Sequence, residues 1–475
     1  MTVRRIVVVG GGITGLSAAW RLLRRAEAQG RAIEVTVLEA DARPGGKIIT
    51  ERVQDFVLEG GPDSFVTDKP WCLALCRELG LDDQLIPCNT SQAKVYMLYR
   101  GRLVSFPAGF RLTIPTKFWP FVTTPLLSPW GKVRMAMEVL LPSRPADRDE
   151  TLAEFIGRRL GREAVERIAG PMMAGIFVSD PARMSMRGTF PTFLEMERKH
   201  GGLIRAAWAA KRAGPPPGGA PSAGRALFNS LRGGMGALVD TLAERLGPVV
   251  RTGSRVEGIT RDGAGYTLAV AGPGGAGRLS FDDVLLAVPA SVAARLLAPL
   301  DAELSAGLSA IRFVSTATVS LGYLVDDLPE DRPLDGFGVL IPPGEKSRLI
   351  ACTWVSTKFK HRAPSGCVLL RGFFGGYRDE AGAELDAAGL EALARDEFAG
   401  LFGIKAPPVV VRVARWPKGN PQYDVGHLDR VAALERRAAV SLPGLHFAGS
   451  SYHGIGMPDC IKSAEAAVAR ILPEA

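Results

Sequence analysis

The strongest constraint on the fold lies near the N-terminus, in Ile6-Val7-Val8-Val9-Gly10-Gly11-Gly12-Ile13-Thr14-Gly15-Leu16-Ser17-Ala18-Ala19-Trp20. The β-branched run favours a strand, Gly10, Gly12 and Gly15 have GxGxxG spacing, and an apolar helical pattern follows. Strand, tight turn and helix are expected in that order. Gly10 permits the sharp exit from the strand, Gly12 lets the backbone approach a pyrophosphate, and Gly15 lets helix and strand pack closely. The phosphates of a dinucleotide would sit on N–H groups of this turn, from Gly10 through Gly11, Gly12, Ile13 and Thr14 to Gly15, where the helix dipole favours negative charge. A second strand-like run, Glu34-Val35-Thr36-Val37-Leu38-Glu39, ends in an acid 24 residues beyond Gly15. A carboxylate there can take the ribose hydroxyls.

Two glycine-rich segments beyond the acid select the dinucleotide. Arg43-Pro44-Gly45-Gly46-Lys47 comes at once, and Glu59-Gly60-Gly61-Pro62-Asp63-Ser64 succeeds the short run Phe56-Val57-Leu58. Two ordinary turns are the alternative reading. A nicotinamide site needs no such second glycine doublet, whereas an extended FAD is lined by backbone of this kind, so FAD is the expected cofactor.

At 475 residues the chain exceeds a single simple core and points to two or three domains. A hydrophobic fraction of 47% argues for a globular protein. No uninterrupted apolar run is long enough for a membrane-spanning helix. Only Met1-Thr2-Val3-Arg4-Arg5 precedes the first strand, so no leader is expected and the cytoplasm is the default location. The net charge of +9 suits anionic partners. Lysine and arginine are dispersed and no nucleic-acid motif occurs, so a nucleic-acid partner is not expected, whereas an anionic membrane surface or a polycarboxylate substrate fits. The six cysteines contain no CxxC, and Cys72 and Cys76 have the helical spacing of buried thiols. The five histidines show no ligand spacing, so no metal is expected.

Along the chain, Pro70–Leu81 reads as a helix and 94–103 as a hairpin. The stretch from Phe106 to Trp130 is rich in aromatics and leucine but broken by prolines. Interfacial contact, a substrate tunnel and plain core are three open readings of it. Residues 151–213 read as mostly helical, opened by the capping pattern Thr151-Leu152-Ala153-Glu154 and interrupted over Gly170 to Asp180. Gly214-Pro215-Pro216-Pro217-Gly218-Gly219-Ala220-Pro221 marks a flexible loop. A meander of strands comes next, from about 249 to 288, then mixed short strands and a helix to about 414. The chain ends in a strand, Leu445–Ser450, a turn, and an alanine-rich helix that suits Pro458 in its first turn. The fold class is α/β: 1–70, 225–290 and 415–475 form a Rossmann-like FAD-binding domain; 71–95 and 291–414 form a mixed α/β substrate domain; 96–213 is a helical insertion with membrane contact among its readings; and 214–224 is a Pro/Gly loop.

Three distant segments, Gly10 to Gly15, Gly61 to Ser64 and Gly454-Ile455-Gly456-Met457-Pro458-Asp459-Cys460-Ile461, together resemble the porphyrinogen oxidases of the amine-oxidase-like flavoprotein superfamily. Phe190-Pro191, Glu197-Arg198-Lys199-His200, Arg415-Trp416, Pro421-Gln422-Tyr423, Gly426-His427 and the Gly175 loop extend the likeness over nearly the whole chain. Ile114-Pro115-Thr116-Lys117, Ala351-Cys352-Thr353-Trp354 and Pro458 are most similar to the Gram-positive coproporphyrinogen III oxidases within that family. The chain departs from the protoporphyrinogen oxidases at Val95, where an arginine usually meets a substrate propionate, and Lys94 stands beside it.

The resemblance implies a six-electron aromatisation of coproporphyrinogen III to coproporphyrin III in haem biosynthesis. Non-covalent FAD would do the redox chemistry, O2 would be the acceptor and hydrogen peroxide the by-product. The partners implied are a tetrapyrrole, O2 and a haem-pathway enzyme. Glu39 would meet the ribose, Ala40 and Lys47 the adenosine side, and Val256 the adenine through its backbone. Gly61, Pro62, Asp63 and Ser64 would line the ribityl chain and flavin, and Trp416, Ile455, Gly456 and Met457 would lie near the isoalloxazine. Gly175, Ile176 and Phe177 would face the tetrapyrrole, with Phe337, Ile341 and Trp354 as apolar walls. No protein side chain is expected to be catalytic, His453 included, because the flavin carries the chemistry. Protoporphyrinogen IX is the alternative substrate. An amine oxidase, a carotenoid desaturase and a non-catalytic escort protein on the same scaffold are the further alternatives.

Overall fold

The computed structural model describes residues 3–111, 113–144, 148–213, 226–331 and 334–474. The Pro/Gly loop expected at 214–224 lies outside the described residues.

The expected strand, turn and helix form at the N-terminus as Arg4–Val9 and Ile13–Gln29. Arg4–Val9 is the centre of a five-stranded parallel sheet in the spatial order Val250–Arg251, Ile33–Leu38, Arg4–Val9, Asp283–Leu286, Leu445–Phe447. Its side chains alternate between two cores, as the two-residue period of a strand requires. Ile6 and Val8 pack with the helices Ile13–Gln29, Pro70–Glu78, Gly236–Leu246 and Met457–Ile471. Val7 and Val9 pack against the other layer, which holds the meander Arg255–Asp262, Gly265–Gly272, Gly275–Phe281 and three further helices. Burial on both faces explains why this strand reads as continuously apolar.

The helix Pro70–Glu78 joins this core rather than the second domain, which the sequence pattern starts at 71. Cys72, Leu75 and Cys76 are fully buried beside Leu16, Leu22 and Ile461. Their helical spacing shows an apolar face but not its partner.

The second domain is built on a seven-stranded sheet in the order Val410–Pro421, Phe313–Leu324, Cys367–Gly375, Leu349–Trp354, Gly338–Leu340, Val95–Tyr99, Arg102–Ser105. The hairpin of the last two strands crosses the boundary expected at 95/96, because Val95, Tyr96 and Met97 pair in parallel with Gly338, Val339 and Leu340. The strand Val410–Pro421 crosses the one expected at 414/415 and carries Trp416 toward the first domain.

The helical region shows the expected capping box: Glu154 N–H donates to Thr151 Oγ1 at 3.0 Å, and Thr151 N–H donates to Glu154 Oε2 at 2.9 Å. Its interior is held by charge. Arg159 and Glu138 are both almost fully buried and paired, and Glu138 also accepts the first N–H groups of the helix Leu203–Ala213. The interruption expected over 170–180 falls at its end: Gly170-Pro171 continue into one α-helix, Gly170–Phe177, led in by a π-helical turn at Val165–Ala169, and that helix stops at Val178, whose φ of 49° is left-handed. A Cβ on Gly170 would lie 2.8 Å from the Val165 carbonyl oxygen, so the glycine accommodates the change of helix type. The residues read as a Gly175 loop are therefore the last turn of a helix.

Between the layers, His427 is fully buried, stacked on the Tyr423 ring at 3.9 Å between centroids, with Nε2 facing the Tyr452 carbonyl at 2.9 Å. Burial pushes the imidazole down from 6.5 to about 4. The unfolded chain then binds more protons than the folded one between these values. Stability is full above pH 6.5 and is lost as pH falls toward 4. The shift corresponds to about 3 kcal/mol in all. A His427→Gln variant is expected to flatten this part of the stability curve, measured as melting temperature against pH.

Candidate active site

The site begins where the central strand ends. Gly10 has φ 107°, and a Cβ on Gly15 would lie 1.8 Å from the Gly10 carbonyl oxygen. Only glycine lets the helix start this close to the strand. A Cβ on Gly12 would meet no atom within 4 Å, so the turn opens onto free space in front of the helix N-terminus. Gly12 is the N-cap, no side chain caps the helix, and the first turn has no acid. Thr14 and Ile13 are buried in that first turn. Such an end is suited to an anion.

Glu39 closes one side. Its Oε2 accepts Gly11 N–H at 2.6 Å and its Oε1 accepts Asp41 N–H at 2.8 Å, leaving lone pairs on both oxygens for hydroxyl donors. Ser254 N–H donates to the Glu39 carbonyl, which brings the start of the strand holding Val256 alongside. Ala40 is next to Glu39 at this edge. The Gly45-Gly46 turn leans on the motif through Gly45 N–H to the Gly11 carbonyl at 2.8 Å. The Lys47 ammonium donates to the Gly419 carbonyl, on the strand of Trp416, and its electrostatic neighbour is Cys460. Burial lowers its pKa.

The Gly60–Ser64 loop is pinned from beneath. A Cβ on Gly61 would lie 1.7 Å from the Lys47 carbonyl oxygen, so the two glycine segments touch backbone to backbone. Trp416 Nε1 donates to the Gly60 carbonyl at 3.0 Å, and Arg371 donates to the Gly60 and Gly61 carbonyls at 3.1 and 2.6 Å. Asp63 accepts the Ser64 hydroxyl at 2.6 Å and pairs with Lys358 at 3.2 Å. Burial raises its pKa, but the Lys358 and Arg371 charges and the Ser64 hydroxyl overrule it and hold the carboxyl down at about 2. Lys358 lies over the rings of Phe228 and Phe359. Arg371, Lys358 and Thr318 were missed in the sequence because each is an isolated residue in or beside an apolar strand, with no motif around it.

The C-terminal turn completes the ring. Gly454, at φ 140°, donates to Tyr423 Oη at 2.7 Å, and that hydroxyl donates to the Ser450 carbonyl at 2.7 Å. Ile455 and Gly456 lead into the helix Met457–Ile471, which has Pro458 in its first turn as expected and Asp459 paired with Lys69 at 2.6 Å. Gly449 and Ser463 tie this segment to the neighbourhood of Thr14.

Of the expected substrate residues, Gly175 packs on Leu340, where a Cβ would come within 2.9 Å. Ile176 is 53% exposed, and Phe177 packs edge-to-face on Phe190 at 5.5 Å. Ile341 and Trp354 are at most 1% exposed in the core of the seven-stranded sheet, so they back a wall and present no surface of their own. Phe337 is buried beside Phe359, next to Lys358.

A family model described as flavin containing amine oxidoreductase matches residues 13–472. The chain belongs to the flavin-containing amine oxidoreductase family. It is 33% identical over 472 residues to a coproporphyrinogen III oxidase of Bacillus subtilis (strain 168), covering 99% of this chain and 98% of that one. It is 30% identical to a chloroplastic protoporphyrinogen oxidase of Oryza sativa subsp. japonica, covering 98% and 87%. A crystal structure of an Exiguobacterium sp. 255-15 protein superposes with a TM-score of 0.86 at 31% identity, covering 99% of both chains.

The cofactor of this flavin oxidoreductase is FAD, and the residues fit it: an uncapped helix start open in front of Gly12, and an acid with lone pairs for hydroxyls. Gly12→Ala is expected to fold and melt as the parent does, because the added methyl meets no atom. It should weaken FAD binding by roughly a hundredfold, because the methyl fills the phosphate approach. Gly15→Ala should instead lose both stability and cofactor. Thermal melts and flavin content after gel filtration separate the two.

Proposed function

We propose that the chain oxidises coproporphyrinogen III to coproporphyrin III. The observation that carries this reading is the full-length similarity to a coproporphyrinogen III oxidase. FAD, held non-covalently, would take hydride from the porphyrinogen and pass the electrons to O2, releasing hydrogen peroxide. The chain's own residues would bind and orient: Gly10 to Gly15 and Glu39 would hold the dinucleotide, the Gly60–Ser64 loop and Trp416 would frame the ring, and Gly175, Ile176 and Phe177 would meet the tetrapyrrole. Cys460 is buried against Thr14, and burial pushes its thiol up to about 11, which suits a packed thiol rather than a point of attachment.

The substrate carboxylates need cationic partners. Lys94 is already paired with Asp335, which also accepts the Tyr96 hydroxyl at 2.6 Å. Lys199 is paired at the surface with Glu195. Protoporphyrinogen IX is the second substrate reading, favoured by the similarity to the chloroplastic enzyme. Porphyrin fluorescence under air, with both porphyrinogens offered side by side, decides between them. The expected result is a kcat/KM for the copro substrate higher by roughly tenfold or more; a reversed preference would support the protoporphyrinogen reading, and fluorescence with neither substrate would contradict both. A haem-pathway enzyme would consume the product.

The proline-broken aromatic segment and the helical turns that follow it to Leu140 support peripheral membrane contact. Phe118, Trp119, Trp130 and Leu140 are 70%, 71%, 82% and 77% exposed, with Lys117 and Lys132 among them. Apolar rings beside cations suit an anionic lipid surface, and no helix among the described residues is long and apolar enough to cross a membrane. Vesicles rich in phosphatidylglycerol should carry the protein in flotation, and a Trp119→Ser, Trp130→Ser double variant should reduce the bound fraction roughly fivefold or more. A parent protein that stays unbound would contradict the contact.

A further inference from the structure

Arg371 projects from the strand Cys367–Gly375 into the region between the two domains and is only 3% exposed. One nitrogen, Nη2, serves the Gly60 carbonyl, the Gly61 carbonyl and Thr318 Oγ1, at 3.1, 2.6 and 3.3 Å. Its Nε is buried and has no partner among the described residues. No carboxylate among the described residues comes within ion-pair distance of it.

The guanidinium lies over the Phe373 ring at 5.0 Å, which offsets part of its cost, but the neighbouring carboxylates do not neutralise the charge. Asp63 is engaged by Lys358 and Ser64. Glu59 accepts Thr50 Oγ1 and Met235 N–H and faces Arg362 at 3.8 Å. The buried cluster therefore sets two carboxylates against three cations, with the surplus directly behind the Gly60–Asp63 loop. Burying an unpaired guanidinium is costly. The two carbonyls could be held by a neutral donor at lower cost, so the charge itself calls for a use.

We infer that Arg371 is a positioning residue for the flavin: it fixes the Gly60–Gly61 backbone and places behind that loop a fixed positive charge that favours the negative charge the cofactor gains on reduction. The inference rests on the flavin seat and adds to it the group that tunes the cofactor. A cation held in a dry interior acts more strongly than one in water and needs no reorganisation as charge develops. Thr318 helps aim it, because its hydroxyl lies within reach of both the Gly60 carbonyl and the guanidinium.

The test is the midpoint potential of bound FAD together with the dissociation constants of oxidised and reduced FAD, none of which requires turnover. Arg371→Met is expected to make the potential more negative and to weaken reduced FAD more than oxidised FAD by roughly tenfold or more. Arg371→Lys, which keeps the charge but not the fork, should recover most of that difference while still binding both forms more weakly. Should Arg371→Met not accumulate as folded protein, Arg371→Gln keeps amide donors near the two carbonyls without the charge and gives the same readout. A neutral variant with the parental potential would overturn the inference, as would Arg371→Lys matching the neutral variant. A parent chain that takes up no FAD would overturn the flavin seat itself, a separate result.

Discussion

The architecture depends on one close contact, the approach of the helix at Gly15 to the carbonyl of Gly10. With no side chain at either point, the helix starts directly off the C-terminal end of the central strand. Its uncapped N-terminus then faces open space rather than protein. The same device recurs at Gly61, which meets the Lys47 carbonyl backbone to backbone. The Gly45 N–H to Gly11 carbonyl bond joins the two contacts, so the first turn, the Gly45–Lys47 segment and the Gly60–Ser64 loop meet in one place, and the helix Met457–Ile471 closes the ring from the other end of the chain. A side chain at either glycine would push apart the backbones that meet there.

Around this frame the interior is polar where the cofactor belongs and apolar elsewhere. The central strand is dry on both faces, whereas the Gly60–Ser64 loop rests on Arg371, Trp416, Thr318 and Ser230. Asp63 stays ionised because two cations outweigh its burial. Arg362 sits deeper, bonded to Ser230 and the Leu231 carbonyl. This belt spans both domains, since Arg371 and Thr318 come from the large sheet and Asp63 from the dinucleotide domain. Fixing the loop and setting the local charge are thus parts of one arrangement.

The dinucleotide half was legible because its physics is local. The glycine spacing, the acid ending the second strand and the proline opening the last helix each have a consequence within a few residues of themselves. Non-local choices were not legible. The Cys72, Leu75, Cys76 face is plain in sequence, but its burial against the Met457–Ile471 helix is a tertiary outcome, and so is the parallel pairing that draws Val95–Tyr99 into the large sheet. Gly170-Pro171 reads as a break because both residues disfavour helix, yet they open an α-helix directly after a π-helical turn, where a proline in the first turn loses no hydrogen bond. Arg371 was invisible for a related reason. In Val368-Leu369-Leu370-Arg371-Gly372-Phe373-Phe374 it is one charge in an apolar strand, and that oddity was the only available signal. Trp354 illustrates the converse, an aromatic suited to a wall that the sheet encloses in its core.

The central claim, that these glycine contacts shape one seat for FAD, is tested most directly by a crystal structure of the protein with FAD bound. The account places the pyrophosphate on the N–H groups of Gly12 to Thr14, the ribose on Glu39, and the flat ring between the Gly60–Ser64 loop and the turn before Met457. A pyrophosphate bound away from the Gly12 turn, or a ring outside that gap, would contradict it.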